Sequence, residues 1–257
     1  MRWSCTPVLT VLAMLACGPG RPEDPPGGPS PGADSVRAMV PVAHSTLADT
    51  AGMAADLRLI ERKLGPLAPG VRDHLVAVEV RYFSFADSTC TAVDHRTLRS
   101  GVLVVHACIA GEVREIFEAM LRDTFPVARV VPINRYGLNA DSTGWNDAAS
   151  MADNNTSAFN YRRKPGSWAL SEHARGTALD INPRQNPLVR VDPHGITTLP
   201  PGSRYTPGAP GTLDRHRIAR YLPHTGWSWG GRWPRPQDHQ HIERSGGPCD
   251  APDDRAR

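Results

Sequence analysis

Residues 76–83 read VAVEVRYF, and they are the strongest indication of the fold class. Apolar side chains at the even positions alternate with Ala77, Glu79 and Arg81, which is the two-residue period of a strand with one buried face. Residues 102–108, VLVVHAC, form a nearly continuous apolar run that fits a central strand. The sequence therefore predicts a sheet that contains both segments.

Helical patterns lie on either side of these strands. Residues 112–123 place apolar side chains on one stripe and charged side chains opposite, the pattern of an amphipathic helix. Residues 46–64 and 213–222 also have helical spacing, while residues 127–133 and the segment around His241 return to a strand pattern. We expect an α+β fold with a mainly antiparallel sheet and flanking helices.

The start of the chain has the composition of an export signal and a tether. Residues 1–16 combine Arg2 with a short apolar stretch that ends before Cys17, as in a signal peptide. A short buried helix is the alternative, but residues 17–45 are rich in Pro and Gly and cannot bury a core. We expect an exported protein, periplasmic or extracellular, that is either secreted or lipid-anchored to the membrane through Cys17.

The rest of the chain divides into three parts. We expect an N-terminal helix within residues 46–66, a main domain over residues 67–250 and a tail at residues 251–257. The net charge of +3 is too small to indicate nucleic-acid binding. No apolar run after the signal is long enough for a transmembrane helix, so membrane contact is expected only through the N-terminal lipid. We expect a monomer.

The chain has five cysteines, of which Cys5 lies in the signal. In an oxidising compartment we expect Cys90 and Cys108, which flank the predicted central strand, to form a disulfide. Cys249 would then be a free thiol. The cysteines lack the CxxC spacing of a thiolate zinc site.

Two polar segments concentrate side chains that can bind a metal: SEHARGTALD at 171–180 and DHQH at 238–241. A catalytic zinc takes three protein ligands and leaves one position open for water. A bend at Gly176 can bring His173 and Asp180 together. Asp238 and His241 are three residues apart, so that one can bind metal while the other lies beside the water. Spacing alone is weak evidence, because a lone His or Asp in a loop usually stabilises a turn.

These segments, together with NNTSAFNYR from residue 154 and GWSWGGRW from residue 226, closely resemble the zinc D-alanyl-D-alanine carboxypeptidase family. That family includes vancomycin-resistance peptidases and phage L-alanyl-D-glutamate endolysins. Its pattern is SxHxxGxAxD, followed downstream by a carboxylate, two residues and a His. The chain fills every fixed position of both parts, and the resemblance extends over about residues 75–245. It implies a hedgehog- or DD-peptidase-like fold.

The resemblance also implies roles for individual residues. The implied ligands of Zn²⁺ are His173, Asp180 and His241. Asp238 would be the general base and acid. The family uses an upstream arginine to polarise the substrate carbonyl, and Arg162 stands at the matching place beside Arg163.

Other metal-competent residues are expected to have lesser roles. Strand alternation turns His239 away from Asp238, towards a supporting or surface position. His106 is expected to be a buried core histidine rather than a ligand. Glu243 is the second choice for the acid and is expected to form an ion pair or a contact that supports a ligand. The tryptophans near the second segment are expected to pack or to form turns, with one of them walling the substrate cleft.

The implied function is a zinc peptidase that cleaves peptidoglycan stem peptides. Because the carboxylate is Asp, the resemblance favours an endopeptidase at an L-Ala-D-Glu-type bond, with a D,D-carboxypeptidase next. In the hedgehog proteins a similar zinc site serves structure or recognition. The alternative hypothesis is therefore a non-catalytic, zinc-containing lipoprotein that binds the cell wall. Such a protein would be expected to lose Asp238 or Arg162, and this chain keeps both.

Overall fold

A computed structural model describes residues 45–46, 52–222, 226–245 and Cys249. The predicted signal at residues 1–16, almost all of the tether and the tail at 251–257 lie outside these residues. Within the described ranges, no helix is long and apolar enough to cross a membrane.

Helices and strands are mixed along the chain. The α-helices are α1 Met53–Leu64, α2 Pro69–Arg72, α3 Ala110–Arg122, α4 Asp147–Ala152 and α5 Arg215–Tyr221. The first strands are β1 Ser45–Thr46, β2 Leu75–Phe85, β3 Val93–His106, β4 Arg129–Val130, β5 Asn155–Thr156 and β6 Ala178–Asp180. The later strands are β7 Leu188–Asp192, β8 Gly195–Leu199, β9 Trp227–Trp229, β10 Gln237–Asp238 and β11 His241–Arg244. The predicted α+β fold with mainly antiparallel sheets is confirmed.

The long hairpin of β2 and β3 forms the framework of the main core. Its strands pair antiparallel from Leu75 opposite His106 to Phe85 opposite Val93. Alternate side chains of both strands, including Val78 and Val105, are fully buried in the cluster that also contains the apolar stripe of α3. Burial of this stripe against the sheet is the main stabilising force expected for an amphipathic helix.

Two smaller sheets position the residues of the site. One has the strand order β6-β11-β9 and the other β10-β7-β8. In the first, Asp180 lies directly opposite His241 in an antiparallel pair. In the second, Asp238 lies opposite Leu188 at the base of the β7–β8 hairpin. The two segments singled out in the sequence thus lie on paired strands.

Several element boundaries differ from the predictions. The helix predicted over residues 46–64 begins only at Met53, because Gly52 has a φ of 81° at its N-cap, and Ser45–Thr46 pair with β2 instead. The strand predicted over residues 127–133 is reduced to Arg129–Val130, which pairs in parallel with β5. Pro132 precedes a 3₁₀ helix that ends this segment.

The predicted pairing of Cys90 with Cys108 is wrong. Cys108 is bonded to Cys249, with a Cα–Cα distance of 5.6 Å, and Cys90 is the free thiol. Cys90 lies between β2 and β3, whereas Cys108 follows the other end of β3. At about 3.3 Å per residue, the strand between them holds the two thiols roughly 40 Å apart. Two cysteines that flank one extended strand cannot meet.

We expect Cys108→Ser to reduce the free energy of unfolding by about 2–5 kcal/mol, because the native bond restricts a long loop of the unfolded chain. Cys90→Ser is the matched control and should leave stability within about 0.5 kcal/mol of the parent. Urea unfolding of protein produced in an oxidising compartment measures both. Equal midpoints for the parent and Cys108→Ser would contradict the bond.

Candidate metal centre

Three buried side chains converge on one point: His173, Asp180 and His241. Nε2 of His173 lies 3.1 Å from Nδ1 of His241. The Asp180 carboxylate completes the group, with one oxygen 3.2 Å from His241 Nδ1 and the other 3.2 Å from His173 Nε2. The structure thus brings together the ligands implied by the resemblance.

Backbone geometry explains the spacing of the first segment. His173 lies on a 3₁₀ helix that begins after Ser171, whose hydroxyl accepts a hydrogen bond from the His173 amide. The turn to β6 passes through Gly176, which has a φ of 71°. A Cβ on Gly176 would lie 2.7 Å from the His106 amide nitrogen, so only glycine fits between the two ligands.

The ring nitrogens that point away from the centre are both bonded. Nδ1 of His173 donates to the carbonyl oxygen of Ala158 at 2.6 Å. Nε2 of His241 lies 2.9 Å from a carboxylate oxygen of Glu243, which can only accept from it when ionised. Each bond places the ring proton on the outer nitrogen and leaves a lone pair on the inner nitrogen. Glu243 thus orients the His241 ring through this hydrogen bond.

Two inward lone pairs and a carboxylate within 3.2 Å of one another attract a cation. Burial opposes the charge on Asp180, but the imidazoles of His173 and His241 hold the pKa of its carboxyl well below its usual range. Burial would also lower the pKa of His241, yet the carboxylates of Asp180 and Glu243 outweigh it and raise that pKa to about 10. The surrounding carboxylates therefore favour positive charge at this point. Imidazole nitrogens and a carboxylate fit Zn²⁺.

Asp238 supplies a further carboxyl, which is not one of the three clustered side chains. Its Oδ1 is buried and has no hydrogen-bond partner among the described residues. Burial and the charge of Asp180 raise the pKa of Asp238 to about 6. Gly230 allows the close approach of this strand, since a Cβ there would lie 2.6 Å from the Asp238 carbonyl oxygen. A buried carboxyl with a raised pKa suits proton transfer near neutral pH.

Arg162 lies on the chain segment beside the 3₁₀ helix of His173. Its carbonyl oxygen accepts a hydrogen bond from the Ser171 amide at 3.0 Å. Its guanidinium pairs with Asp147 at 3.1 Å, while Nε is buried without a hydrogen-bond partner in the described ranges. Arg163 instead places its guanidinium over the ring of Trp168. The two arginines therefore have different surroundings, and the role of Arg162 at the site stays a prediction.

The aromatic neighbours have separate roles. The Trp233 ring lies 5.3 Å from the ring of His241 and walls the metal centre. Trp229 is buried and donates to the His239 carbonyl oxygen at 2.8 Å. The His239 ring is also buried and stacks on Tyr205, at 3.5 Å between centroids. His239 is thus a supporting residue rather than a surface one.

His106 is a core histidine, as predicted. It is buried, and its Nε2 lies 3.1 Å from the Gly70 carbonyl oxygen. His106, Cys108 and Cys249 lie close enough together to suggest a second metal site. The disulfide between the two cysteines removes their thiolates, so this cluster lacks a ligand set.

The model of the D-alanyl-D-alanine carboxypeptidase family matches residues 165–244. Residues 165–244 are thus similar to this family. The match contains the clustered ligands and Asp238, and Arg162 lies just before it. It supports a peptidase that acts on peptidoglycan-type substrates. The wider resemblance over residues 75–164 stays a prediction. No curated protein and no solved structure matches the chain.

Proposed function

We propose that this chain is a zinc-dependent peptidase that hydrolyses the stem peptides of peptidoglycan. The convergence of His173, Asp180 and His241 on one point supports the proposal most strongly, because their inward lone pairs and carboxylate form a cation site. The similarity of residues 165–244 to the carboxypeptidase family supports this substrate class. The carboxyl of Asp238 interacts with the charges of this cluster, and its buried Oδ1 has no hydrogen-bond partner among the described residues, which supports hydrolysis over simple binding.

Zinc, when bound, lowers the pKa of its water towards about 7. Asp238 takes a proton from the attacking water, whose oxygen adds to the scissile carbonyl carbon. The same carboxyl then gives the proton to the leaving nitrogen as the C–N bond breaks, so that the products are a carboxylate and an amine. Arg162 donates to the carbonyl oxygen as negative charge develops there. Asp147 holds that guanidinium in place.

The finer assignments belong to the same proposal. Aspartate at position 238 supports an endopeptidase at an L-Ala-D-Glu-type bond, with a D,D-carboxypeptidase as the alternative. We propose a hedgehog- or DD-peptidase-like fold for the main domain. We also propose export, with a lipid on Cys17. The non-catalytic, wall-binding alternative is disfavoured because Asp238 and Arg162 are both present.

We expect protein purified without a metal-binding tag to contain one zinc per chain and to cleave purified muropeptides. Elemental analysis measures the metal, and mass spectrometry of the products identifies the bond. A chelator should abolish cleavage and added zinc should restore it, because the ligands themselves are unchanged. Absence of stoichiometric transition metal would contradict the metal assignment. Zinc-loaded protein that leaves muropeptides intact would favour the wall-binding alternative.

A further inference from the structure

Trp168 is the most exposed large apolar side chain in the described part of the structure, with 88 % of its surface accessible. Removing an indole ring from water is favourable, so a ring left this exposed is available to a ligand. It lies on a short turn whose two flanking segments are joined by an antiparallel β-bridge between Arg163 and Leu170. The metal centre as described does not use it.

The ring is held with one face open. The Arg163 guanidinium lies 4.4 Å from the ring centroid and covers the other face. The turn beneath it is closed by hydrogen bonds from the Lys164 amide to the Ala169 carbonyl oxygen at 2.8 Å and from the Ser167 amide to the Lys164 carbonyl oxygen at 3.0 Å. Trp168 therefore presents a flat, uncharged surface on a hydrogen-bonded turn.

One of the two segments that flank this turn leads into the candidate metal centre. The first segment follows Arg162, and the second leads into Ser171 and His173. The Ser171 amide donates a hydrogen bond to the Arg162 carbonyl oxygen and so joins the two segments. Trp168 precedes His173 by five residues, so their Cα atoms are at most about 18 Å apart. A substrate bound at the metal centre can thus reach the ring within a few residues of the cleaved bond.

We propose that the open face of Trp168 binds the sugar ring that carries the stem peptide. This inference rests on the proposed function, because that function supplies a substrate in which a sugar is joined to a peptide. The apolar C–H face of a pyranose matches a flat aromatic surface, whereas the charged groups of a stem peptide do not. Contact with the sugar at this distance fits cleavage near the sugar-linked end of the peptide.

The test compares two substrates that differ only in the sugar: a disaccharide–peptide and the same peptide without the disaccharide. We expect Trp168→Ala to raise KM for the disaccharide–peptide by about three- to tenfold, with kcat unchanged, because a stacked ring contributes binding of this size. The peptide alone should show no change. Trp168→Phe should recover part of the loss, and Leu59→Ala, which shortens another exposed apolar side chain, should behave as the parent.

Two outcomes would overturn the proposal: unchanged kinetics of Trp168→Ala on both substrates, or an equal loss on both, which would place the ring against the peptide. Binding of the free disaccharide, followed by tryptophan fluorescence, gives a readout that does not depend on hydrolysis. Fluorescence quenching in the parent that is absent in Trp168→Ala supports the proposal. If the parent cleaves neither substrate but shows this quenching, the proposed peptidase function fails and the sugar site stands.

Discussion

Asp238→Asn is expected to slow hydrolysis of muropeptides by about a hundred-fold to ten-thousand-fold, because it removes the proton acceptor at nearly constant size. The zinc content should remain that of the parent, since the clustered ligands are untouched. The loss should therefore appear in kcat. Product formation and elemental analysis on the same samples measure the two quantities.

Glu243→Gln is the matched control for this loss of a carboxylate. Glu243 contacts the outer nitrogen of His241, so its replacement should weaken zinc binding by roughly 10–100-fold and leave turnover largely intact at saturating zinc. The opposite result, with a fully active Asp238→Asn and an inactive Glu243→Gln at full zinc occupancy, would remove Asp238 from the mechanism and make Glu243 the acid.

His241→Ala is expected to lose both zinc and activity. It removes one inward lone pair of the cluster and frees the Asp180 and Glu243 carboxylates that it contacts. Loss of a residue that hydrogen-bonds to a ligand weakens metal binding by up to about a hundred-fold. Loss of the ligand itself should lower the zinc affinity by more than this. Equilibrium dialysis against zinc measures the affinity without reference to the reaction.

The control for this change is His194→Ala, which removes an exposed histidine from the turn between β7 and β8. It should bind one zinc and cleave at the parental rate. Retention of stoichiometric zinc by His241→Ala at parental affinity would show that the metal binds elsewhere.

Sequence patterns were sufficient for the main elements and for the residues that meet. Two-residue alternation in β2 and the stripe of α3 predict those elements because burial on one face dictates both periods. Asp180 meets His241 because β6 and β11 pair in register. His173 reaches them from the 3₁₀ helix that precedes β6.

Other features have no sequence pattern. The carbonyl oxygen of Ala158 fixes the tautomer of His173, and a backbone oxygen is present at every residue. Asp147, which holds Arg162, lies on α4 and carries no motif. The disulfide partner of Cys108 depends on distances across the fold, which the sequence does not show. Cys90 and Cys108 flank β3 in the sequence, but they lie at its opposite ends in the structure.

The bond between Cys108 and Cys249 encloses every residue assigned to the metal centre and to proton transfer, since 141 positions separate its ends. A protease that makes a single cut inside this ring therefore releases no fragment. The two pieces stay joined as one molecule and migrate apart on a gel only after reduction. An enzyme built in this way can be nicked in an exposed loop while its ligands and its proton acceptor remain covalently linked.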